Sequence, residues 1–429
     1  MTQPMRSSQT LSTVKHILRA LRYRNYRLFF LGQTISLTGT WMEHMAMGWL
    51  VYRLTNSAFA LGAIGFTSSI TTFFISPFAG VWADRLNRRR IVLAAQVLLM
   101  VQALVLAALV LTGVVRVWHI VVLSLFLGLI NSFDMPVRQS FTIDLIENKA
   151  DLGNAIALNS LMFNSARFVG PTIAGIVVAA FGEGVCFLLN GLSYLAVIVA
   201  LMSMKVPEPV RKADRTHILK SMKEGFVYTF NLAPMRFVLM LLGLVSLVVM
   251  PYAVLLPVFA RDVLSGNSRT LGFLMGASGM GALCGAIFLA SRRSVAGLGK
   301  MIAAAAFLLG AGLVIFSFTR QIWFSLLLMV FVGFGVMVHV AASNTVLQTL
   351  VDDDKRGRVM SVYVMAFIGL TPFGSLMAGS LASSIGTPWT IAVAGCCCML
   401  GAGVFARHLS SFARLIDKAD LVQLQEGSL

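Results

Sequence analysis

The chain is predicted to be an all-α membrane protein with twelve transmembrane helices in two pseudo-symmetric six-helix bundles. Three observations predict this fold class. Hydrophobic residues make up 58% of the 429 residues and charged residues only 12%, whereas soluble domains carry roughly 25% charged residues. Apolar runs long enough to cross ~30 Å of hydrocarbon recur along the whole chain. A long charged interruption near the middle separates six runs from six, and short motifs of one half recur in the other.

The apolar runs predict helical spans rather than strands. They are apolar throughout, whereas the strands of a membrane barrel alternate at every second residue. The twelve predicted spans are residues 28–52, 58–83, 91–115, 117–136, 155–181, 184–204, 236–260, 270–290, 301–319, 322–347, 359–384 and 388–406.

The basic residues predict how the chain is oriented. With the N-terminus placed inside, 28 of the 34 Lys and Arg residues fall on the side of the chain termini, five fall on the other side, and Arg167 lies within a span. This asymmetry follows the positive-inside rule, so both termini are predicted to be cytoplasmic in a cell inner (plasma) membrane. No cleavable signal is evident in residues 1–27. Because the charges are spread along loops that flank the membrane, nucleic-acid binding is excluded despite the net charge of +17.

The interruption between the sixth and seventh spans divides the chain into domains. The predicted segments are a cytoplasmic N-terminal part (1–27), a first bundle (28–204), a cytoplasmic linker (205–235), a second bundle (236–406) and a cytoplasmic tail (407–429). Weak repetition between two halves is typical of transporters whose substrate site lies between two bundles. An offset of 204 residues relates four pairs: Gly153/Gly357, Ala174/Ala378, Gly175/Gly379 and Gly182/Gly386.

A short polar hinge joins the second and third spans. Its sequence is Gly-Val-Trp-Ala-Asp-Arg-Leu-Asn-Arg-Arg-Arg, residues 80–90. The spacing resembles the loop Gly-x-x-x-Asp-Arg-x-Gly-Arg-Arg of the major facilitator superfamily. Asn87 stands where that family has its second Gly, and Asn tolerates left-handed backbone better than most residues. The resemblance implies an inner-gate role for the matching residues, which are Gly80, Asp84, Arg85, Arg88 and Arg89.

The end of the fourth span carries a second candidate gate element. Asp134 and Arg138 are four residues apart, which places them on one helix face, although Pro136 lies between them. This stretch, and Trp-Leu-Val-Tyr-Arg-Leu-Thr-Asn-Ser at residues 49–57, resemble the facilitator branch that includes siderophore and macrolide exporters. The arginine that other drug antiporters carry in the core of helix four is missing here. Asp134 and Arg138 are therefore predicted to serve the inner gate with the hinge arginines.

The fifth span contains a Gly-Pro pair followed by small residues. Gly170, Pro171 and Gly175 resemble the fifth-helix signature of the antiporter branch, although the upstream Gly of that signature is absent. Small residues allow close helix approach and Pro removes one backbone hydrogen bond. These three residues are predicted to pack helices, as they would in any membrane protein, and to bend the span.

Several polar residues lie within the first and fifth spans. Arg167 sits mid-span, where a bare charge is costly, so it is predicted to face a polar cavity or a partner. Glu43 is the leading candidate for that partner, with Asp134 second. Glu43 could instead carry the proton of a coupled carrier, and the sequence does not separate these roles. His44 and Asn164 are further candidates for proton coupling or the substrate path.

The second half offers fewer candidates. His339 and Asn344 of the tenth span are candidates for proton coupling or the substrate path, with Ser343 beside them. Pro251 and Pro257 are expected to be kinks in the seventh span. The five cysteines lie within spans and show no metal-ligand spacing, so neither a metal nor another cofactor is predicted. No phosphate loop and no nucleophile–base pair is found, and an enzyme is therefore not expected.

These features predict a secondary transporter of the major facilitator superfamily. The resemblance to the exporter branch implies proton-coupled efflux of an amphipathic organic compound, such as a drug or a siderophore, by alternating access. Two alternatives remain: a proton-coupled uptake symporter on the same fold, and a membrane receptor or scaffold that transports nothing. The expected partners are a small-molecule substrate, protons and the lipid bilayer, with no nucleic acid, and the chain is expected to be a monomer.

Overall fold

Long helices form the part of the chain that the structure, a computed structural model, describes: residues 19–83, 87–204, 226–292, 294–295, 297–352 and 355–409. The long helices are α1 (Arg24–Thr55), α2 (Ala58–Ala83), α3 (Arg88–Leu111), α4 (Val117–Asp144), α5 (Leu152–Phe181), α6 (Glu183–Ser203), α7 (Ala233–Val263), α8 (Ser268–Ala290), α9 (Leu298–Phe318), α10 (Ile322–Leu350), α11 (Arg356–Ile385) and α12 (Thr387–Arg407).

Eleven helices, α2 to α12, meet the length and composition needed to cross a membrane. Helix α1 carries Glu43, His44 and arginines near both ends, yet with 32 residues it is long enough and it packs among the others. The predicted all-α, twelve-helix membrane fold is thus confirmed. The fourth span was predicted to stop at residue 136, but α4 continues to Asp144. Proline inside a membrane helix is tolerated where its surroundings satisfy the freed backbone groups, and that tolerance explains the difference.

The two bundles repeat the same helix pairs. In the first, α1 packs on α5, α2 on α4 and α3 on α6; in the second, α8 packs on α10 and α9 on α12. The correspondence predicted between Gly182 and Gly386 is confirmed, because each is the single residue between two helices, with φ of 83° and 85°. This backbone region is open mainly to glycine. The same sharp turn therefore joins α5 to α6 and α11 to α12.

Two helices of the second bundle are irregular. Helix α7 contains π-helical turns at Val245–Val249 and Phe259–Val263, and α11 contains one at Met365–Gly369. Pro251 lies just beyond the first of these turns, and Pro257 just before the second. Inserted π turns and prolines are recognised causes of bends and often accompany functional segments. The kinks expected at Pro251 and Pro257 therefore coincide with irregular turns of α7.

The bundles contact each other through glycines. Helix α5 packs on α8 and α2 on α11. A Cβ atom at Gly272 of α8 would lie 2.5 Å from the carbonyl oxygen of Pro171 and 2.8 Å from Cα of Gly175. A Cβ atom at Gly62 of α2 would likewise lie 2.9 Å from Cα of Gly379 in α11. Backbone meets backbone at both contacts, and only small residues permit this. We call these two contacts the seal.

The seal lies toward one end of the molecule, the end opposite to Arg19 and Leu409, which are the first and last described residues. This opposite end carries the connections α1–α2, α5–α6, α7–α8 and α11–α12. The hydrogen bonds between bundles in the described residues are also here. The Tyr52 hydroxyl donates to Asp262, Arg261 donates to Oδ1 of Asn56 at 2.8 Å, and the Ser268 hydroxyl donates to the carbonyl of Gly175 at 3.3 Å.

The other end carries Arg19 and Leu409, and we call it the terminal end. Here the described polar contacts stay within one bundle. Asp151, just before α5, pairs with Arg19 and Arg22 and accepts from the Tyr23 hydroxyl at 2.7 Å. That hydroxyl, followed by the two guanidinium groups, holds the pKa of Asp151 below its usual range. In the second bundle, Tyr228 donates to Asp352 at 2.9 Å. The bundles are thus joined at the opposite end and separately braced at the terminal end.

Candidate functional site

One face of α1 points toward the second bundle. A Cβ atom at Gly48 would lie 3.2 Å from Pro257 of α7, and Tyr52, one turn further, contacts Asp262. His44 is one turn before Gly48 on this face, since residues four apart share a helix face. His44 is exposed although it lies far from both ends of α1. It therefore faces the space between the bundles, below the seal.

Arg167 enters the same space from α5. It lies near the middle of the 30 residues of this helix. Val169 and Ile173, which are 37% and 40% exposed, mark the outward face of α5. Because neighbouring residues of a helix differ by about 100°, the Arg167 side chain leaves α5 roughly 200° from Val169. Its backbone carbonyl meets α8, where a Cβ atom at Gly279 would lie 2.6 Å away. Arg167 thus points inward, beside the contact of its own backbone with Gly279, which lies further along α5 and α8 than the seal.

Trp41 brings these two residues together. The Cζ atom of Arg167 lies 5.7 Å from the centroid of the Trp41 ring, and the His44 ring centroid is also 5.7 Å from it. Phe163 packs edge-on against the same indole at 5.7 Å. A cation over an indole face is attracted to it, by about 0.5–2 kcal/mol depending on exposure. We call the space lined by Trp41, His44, Phe163 and Arg167 the central cleft.

Aromatic rings also line the α2–α11 contact. Phe373 of α11 lies between Phe66 and Phe73 of α2, with centroid distances of 6.0 Å to each. Phe73 also packs against the backbone of Gly369, in the π-helical turn of α11. Edge-to-face rings of this kind form a large apolar surface. The α2–α11 contact thus combines the glycine contact of the seal with an aromatic cluster further along the two helices.

Glu43 does not pair with Arg167, so the prediction of that ion pair is wrong. One carboxylate oxygen accepts from Nε2 of Gln102 at 3.3 Å, and the other accepts from Nδ2 of Asn190. Glu43 is 5% exposed and faces α3 and α6, away from the central cleft. Glu43 and His44 are adjacent in the sequence, and a step of about 100° around the helix places the two side chains on different faces. The carboxylate is therefore satisfied by amides rather than by a cation.

Asp134, the second predicted partner of Arg167, is also engaged elsewhere. Its carboxylate lies 3.3 Å from Nε of Arg138 and accepts from Nε2 of Gln96 at 3.1 Å. Arg138 in turn donates to Oε1 of Gln33 at 3.2 Å. The helix-face spacing of Asp134 and Arg138 does produce a contact, because α4 runs unbroken through Pro136. This network ties α1, α3 and α4 together on the terminal side of Glu43.

The hinge is described in part. Gly80 lies in α2, whereas Asp84 and Arg85 fall outside the described residues. Arg88 donates to Asp144 at 3.0 Å, and Arg89 donates to the carbonyl of Leu201 at 2.9 Å. Asn87 caps α3 by accepting from the backbone of Arg90. The described hinge contacts thus stay within the first bundle.

The other candidates do not join the central cleft. Asn164 donates to the carbonyl of Ser160 within α5, and His339 is fully buried on the face of α10 that packs on α9. Asn344 is half-buried and accepts from Gln348 at 2.8 Å. Gly170, Pro171 and Gly175 lie where α5 meets α1 and α8, and a Cβ atom at Gly170 would lie 2.7 Å from the carbonyl of Thr38.

Sequence reasoning missed the amides and the aromatic residue that surround these charges. The amide side chains of Gln96, Gln102 and Asn190 lie within apolar spans. They could have been predicted as contacts, since polar groups within spans often form hydrogen bonds between helices. Trp41 gave no such signal, because aromatic residues are common in membrane helices. Tyr52 and Asp262 lie 210 positions apart, and nothing local connects them.

Known proteins resemble this chain over most of its length. The family described as "Transmembrane secretion effector" matches residues 17–426. A staphyloferrin A transporter of Staphylococcus aureus is 24% identical, covering 86% of this chain and 92% of the relative. The multidrug efflux pump Tap of Mycolicibacterium fortuitum is 25% identical, covering 81% and 87%.

A solved structure shares the fold. A bacterial homologue of the human lysosomal transporter Spinster, in an inward-facing and unoccupied conformation, aligns with a TM-score of 0.66 at 13% identity, covering 93% of this chain and 98% of that one. The helix arrangement and the family match agree on one conclusion. The chain is a multi-pass membrane transporter of small molecules and belongs to the transmembrane secretion effector family of the major facilitator superfamily.

Proposed function

We propose that this transporter exports an amphipathic organic compound in exchange for protons by alternating access. The observation that carries the proposal is the central cleft, where the mid-span side chains of His44 and Arg167 face the space between bundles that the seal closes at one end only, as far as the described residues go. Two bundles that meet at one end and enclose polar groups at the midplane suit a carrier that opens to each side in turn. The aromatic rings nearby suit the apolar part of a substrate.

The bundles, residues 28–204 and 236–406, move as two bodies in this proposal. The distribution of basic residues supports a cytoplasmic location of the terminal end in a plasma membrane. The seal then lies on the outer side, and the conformation is open toward the cytoplasm. The efflux pump among the relatives supports the outward direction, and a monomer suffices because both bundles belong to one chain.

Glu43 is proposed to carry the coupling proton. It is a buried acidic residue deep within a span, and its contacts with Gln102 and Asn190 connect three helices of the first bundle. Adding a proton turns the carboxylate from an acceptor of two hydrogen bonds into a donor as well. One of the two amides must then reorient, and this links protonation to the packing of α1 against α3 and α6.

The hinge and the second half of α4 are proposed to form the inner gate, through Gly80, Asp84, Arg85, Arg88, Arg89, Asp134 and Arg138. We expect Asp84→Asn to insert and fold normally but to slow transport several-fold, because a contact that forms and breaks in each cycle loses its charge. The measurement is the initial rate of flux at a matched amount of inserted protein. Unchanged flux in this variant would remove Asp84 from the gate.

The export proposal is tested in inverted membrane vesicles. An imposed proton gradient, acidic inside, should drive accumulation of a transported compound in the lumen, and a protonophore should abolish it. Vesicles without the protein serve as the control. Accumulation only with the gradient reversed would indicate an uptake symporter, and gradient-independent flux would remove proton coupling. A complete lack of flux across a broad compound panel in either direction would contradict transport itself.

A further inference from the structure

We propose that the central cleft binds an organic anion, with Arg167 as the group that receives the negative charge of the substrate. This inference rests on the proposed function and names the substrate class of the same cleft. It starts from a cation at mid-span that has an aromatic ring beside it and no acid within reach among the described residues.

The first step is the electrostatic position of Arg167. Its guanidinium group is half-buried and contacts the Trp41 ring at 5.7 Å. A guanidinium group is always protonated in proteins, so it cannot avoid its charge by losing a proton. Charged side chains within a membrane pair with one another or mark the path of a substrate or ion. The cation–π contact offsets only part of the desolvation of Arg167.

The second step is that the acids of the chain are placed elsewhere. Glu43 and Asp134 hold the amides of Asn190 and Gln96, and Asp134 also holds Arg138. Of the 17 acidic residues, those outside the described segments occupy the hinge, the central linker, the α10–α11 connection and the tail, which are loop sequences outside the spans. Among the described residues, no acidic side chain therefore pairs with Arg167 at mid-span.

The third step concerns what can fill the cleft. A lipophilic cation in the cleft would be repelled by the positive charge of Arg167. A site that binds such a cation is expected to carry a carboxylate instead. A carboxylate, sulfonate or phosphate group on the ligand instead matches the planar fork of a guanidinium group with two parallel hydrogen bonds. Trp41 and Phe163 flank the same position and offer ring surface to an apolar or aromatic body. The ligand that fits both is an amphipathic anion.

The binding experiment uses purified protein in lipid nanodiscs and two xanthene dyes of similar size and opposite charge, carboxyfluorescein and rhodamine 6G, within a wider set of matched organic anions and cations. Fluorescence anisotropy reports dye binding, and thermal stabilisation reports the other compounds. We expect anions to bind, and Arg167→Gln to weaken their binding by about tenfold or more because a buried charge partner is lost. Arg167→Lys should bind anions with intermediate affinity, since it keeps the charge and loses the fork.

The matched control is Arg320→Gln, which removes an exposed arginine from the α9–α10 connection and should bind like the unaltered protein. The melting temperature gives a second readout. Arg167→Gln should not lower it, since no ion pair is broken, and organic anions should raise the melting temperature of the unaltered protein but not of this variant.

Three results would overturn the inference: anions bound equally well by Arg167→Gln, cations or neutral compounds bound while no anion is, or a melting temperature of Arg167→Gln that falls sharply. Export of cations with proton exchange would refute the inference and leave the proposed function standing. If no compound of the set is bound or moved in either direction, the proposed function fails together with it.

Discussion

Replacing Gly272 with leucine is expected to prevent the two bundles from closing at the end that carries the seal. The new Cβ atom would lie 2.5 Å from the carbonyl oxygen of Pro171 and 2.8 Å from Cα of Gly175. Both neighbours are backbone atoms of α5, and a close-packed interior cannot absorb such an overlap by moving a side chain. Helices α5 and α8 must therefore separate, and with them the bundles.

The expected consequence is a carrier that stays open at the end where the seal normally closes it. Transport should fall by about tenfold or more, which corresponds to a change of 1.4 kcal/mol or more in the free energy of closing. Access is measured in a cysteine-free background carrying Thr172→Cys, because Thr172 lies where α5 faces Gly276. A membrane-impermeant thiol reagent added on the side of the seal should label this cysteine much faster when Gly272→Leu is present, because the unaltered carrier opens to that side only for part of each cycle.

Gly403→Leu is the matched control, because nothing lies within 4 Å of a Cβ atom built at Gly403. It should transport normally and leave Thr172→Cys protected. Normal flux and continued protection in Gly272→Leu would mean that the α5–α8 contact does not close the molecule.

Glu43→Gln is expected to abolish accumulation driven by a proton gradient while the substrate still binds. The glutamine side chain keeps the size of the protonated acid and can meet Gln102 and Asn190 if one amide turns over. It cannot exchange a proton. Substrate binding should change little, because Glu43 faces α3 and α6 and the central cleft lies on another face of α1.

The measurement compares gradient-driven accumulation in inverted vesicles with substrate binding to the purified variant. Glu147→Gln, which changes an exposed acid near the terminal end, should keep both. Full accumulation in Glu43→Gln would make Glu43 a structural residue. The coupling proton, if one exists, would then be sought at His44, Asp134 or His339.

The fold could be predicted almost completely from the sequence, and the reason is physical. A lipid bilayer requires long apolar helices, so the spans can be recognised from local composition alone. The glycines at positions 182 and 386 recur because the same turn needs the same backbone conformation. The ends of spans were less predictable. A proline at position 136 marks a helix end in water, whereas α4 runs eight residues past it.

The site was predictable as a set of residues but not as a set of partners. Arg167, His44 and Glu43 are conspicuous because polar groups are costly in lipid. Which of these side chains meet depends on the rotation of each helix about its axis. His44 faces the central cleft, whereas the adjacent Glu43 faces α3 and α6. Opposite charges suggested a pair between Glu43 and Arg167, but the amides of Gln102 and Asn190 occupy the acid. Composition carries no information on such rotations.

Because the charge of Arg167 is uncompensated, the conformational equilibrium of the empty carrier should also depend on the membrane voltage. In the orientation proposed above, the cleft connects Arg167 to the cytoplasm and the membrane field falls mainly across the seal. Opening to the outside would place the same guanidinium group at the outer potential, without any large movement of the side chain. Each elementary charge transferred across the field is worth ~2.3 kcal/mol per 100 mV. In the proposed orientation, an inside-negative voltage would therefore favour the conformation of the unloaded protein that is open to the cytoplasm. An anion bound to Arg167 would cancel this bias and allow the loaded form to open outward.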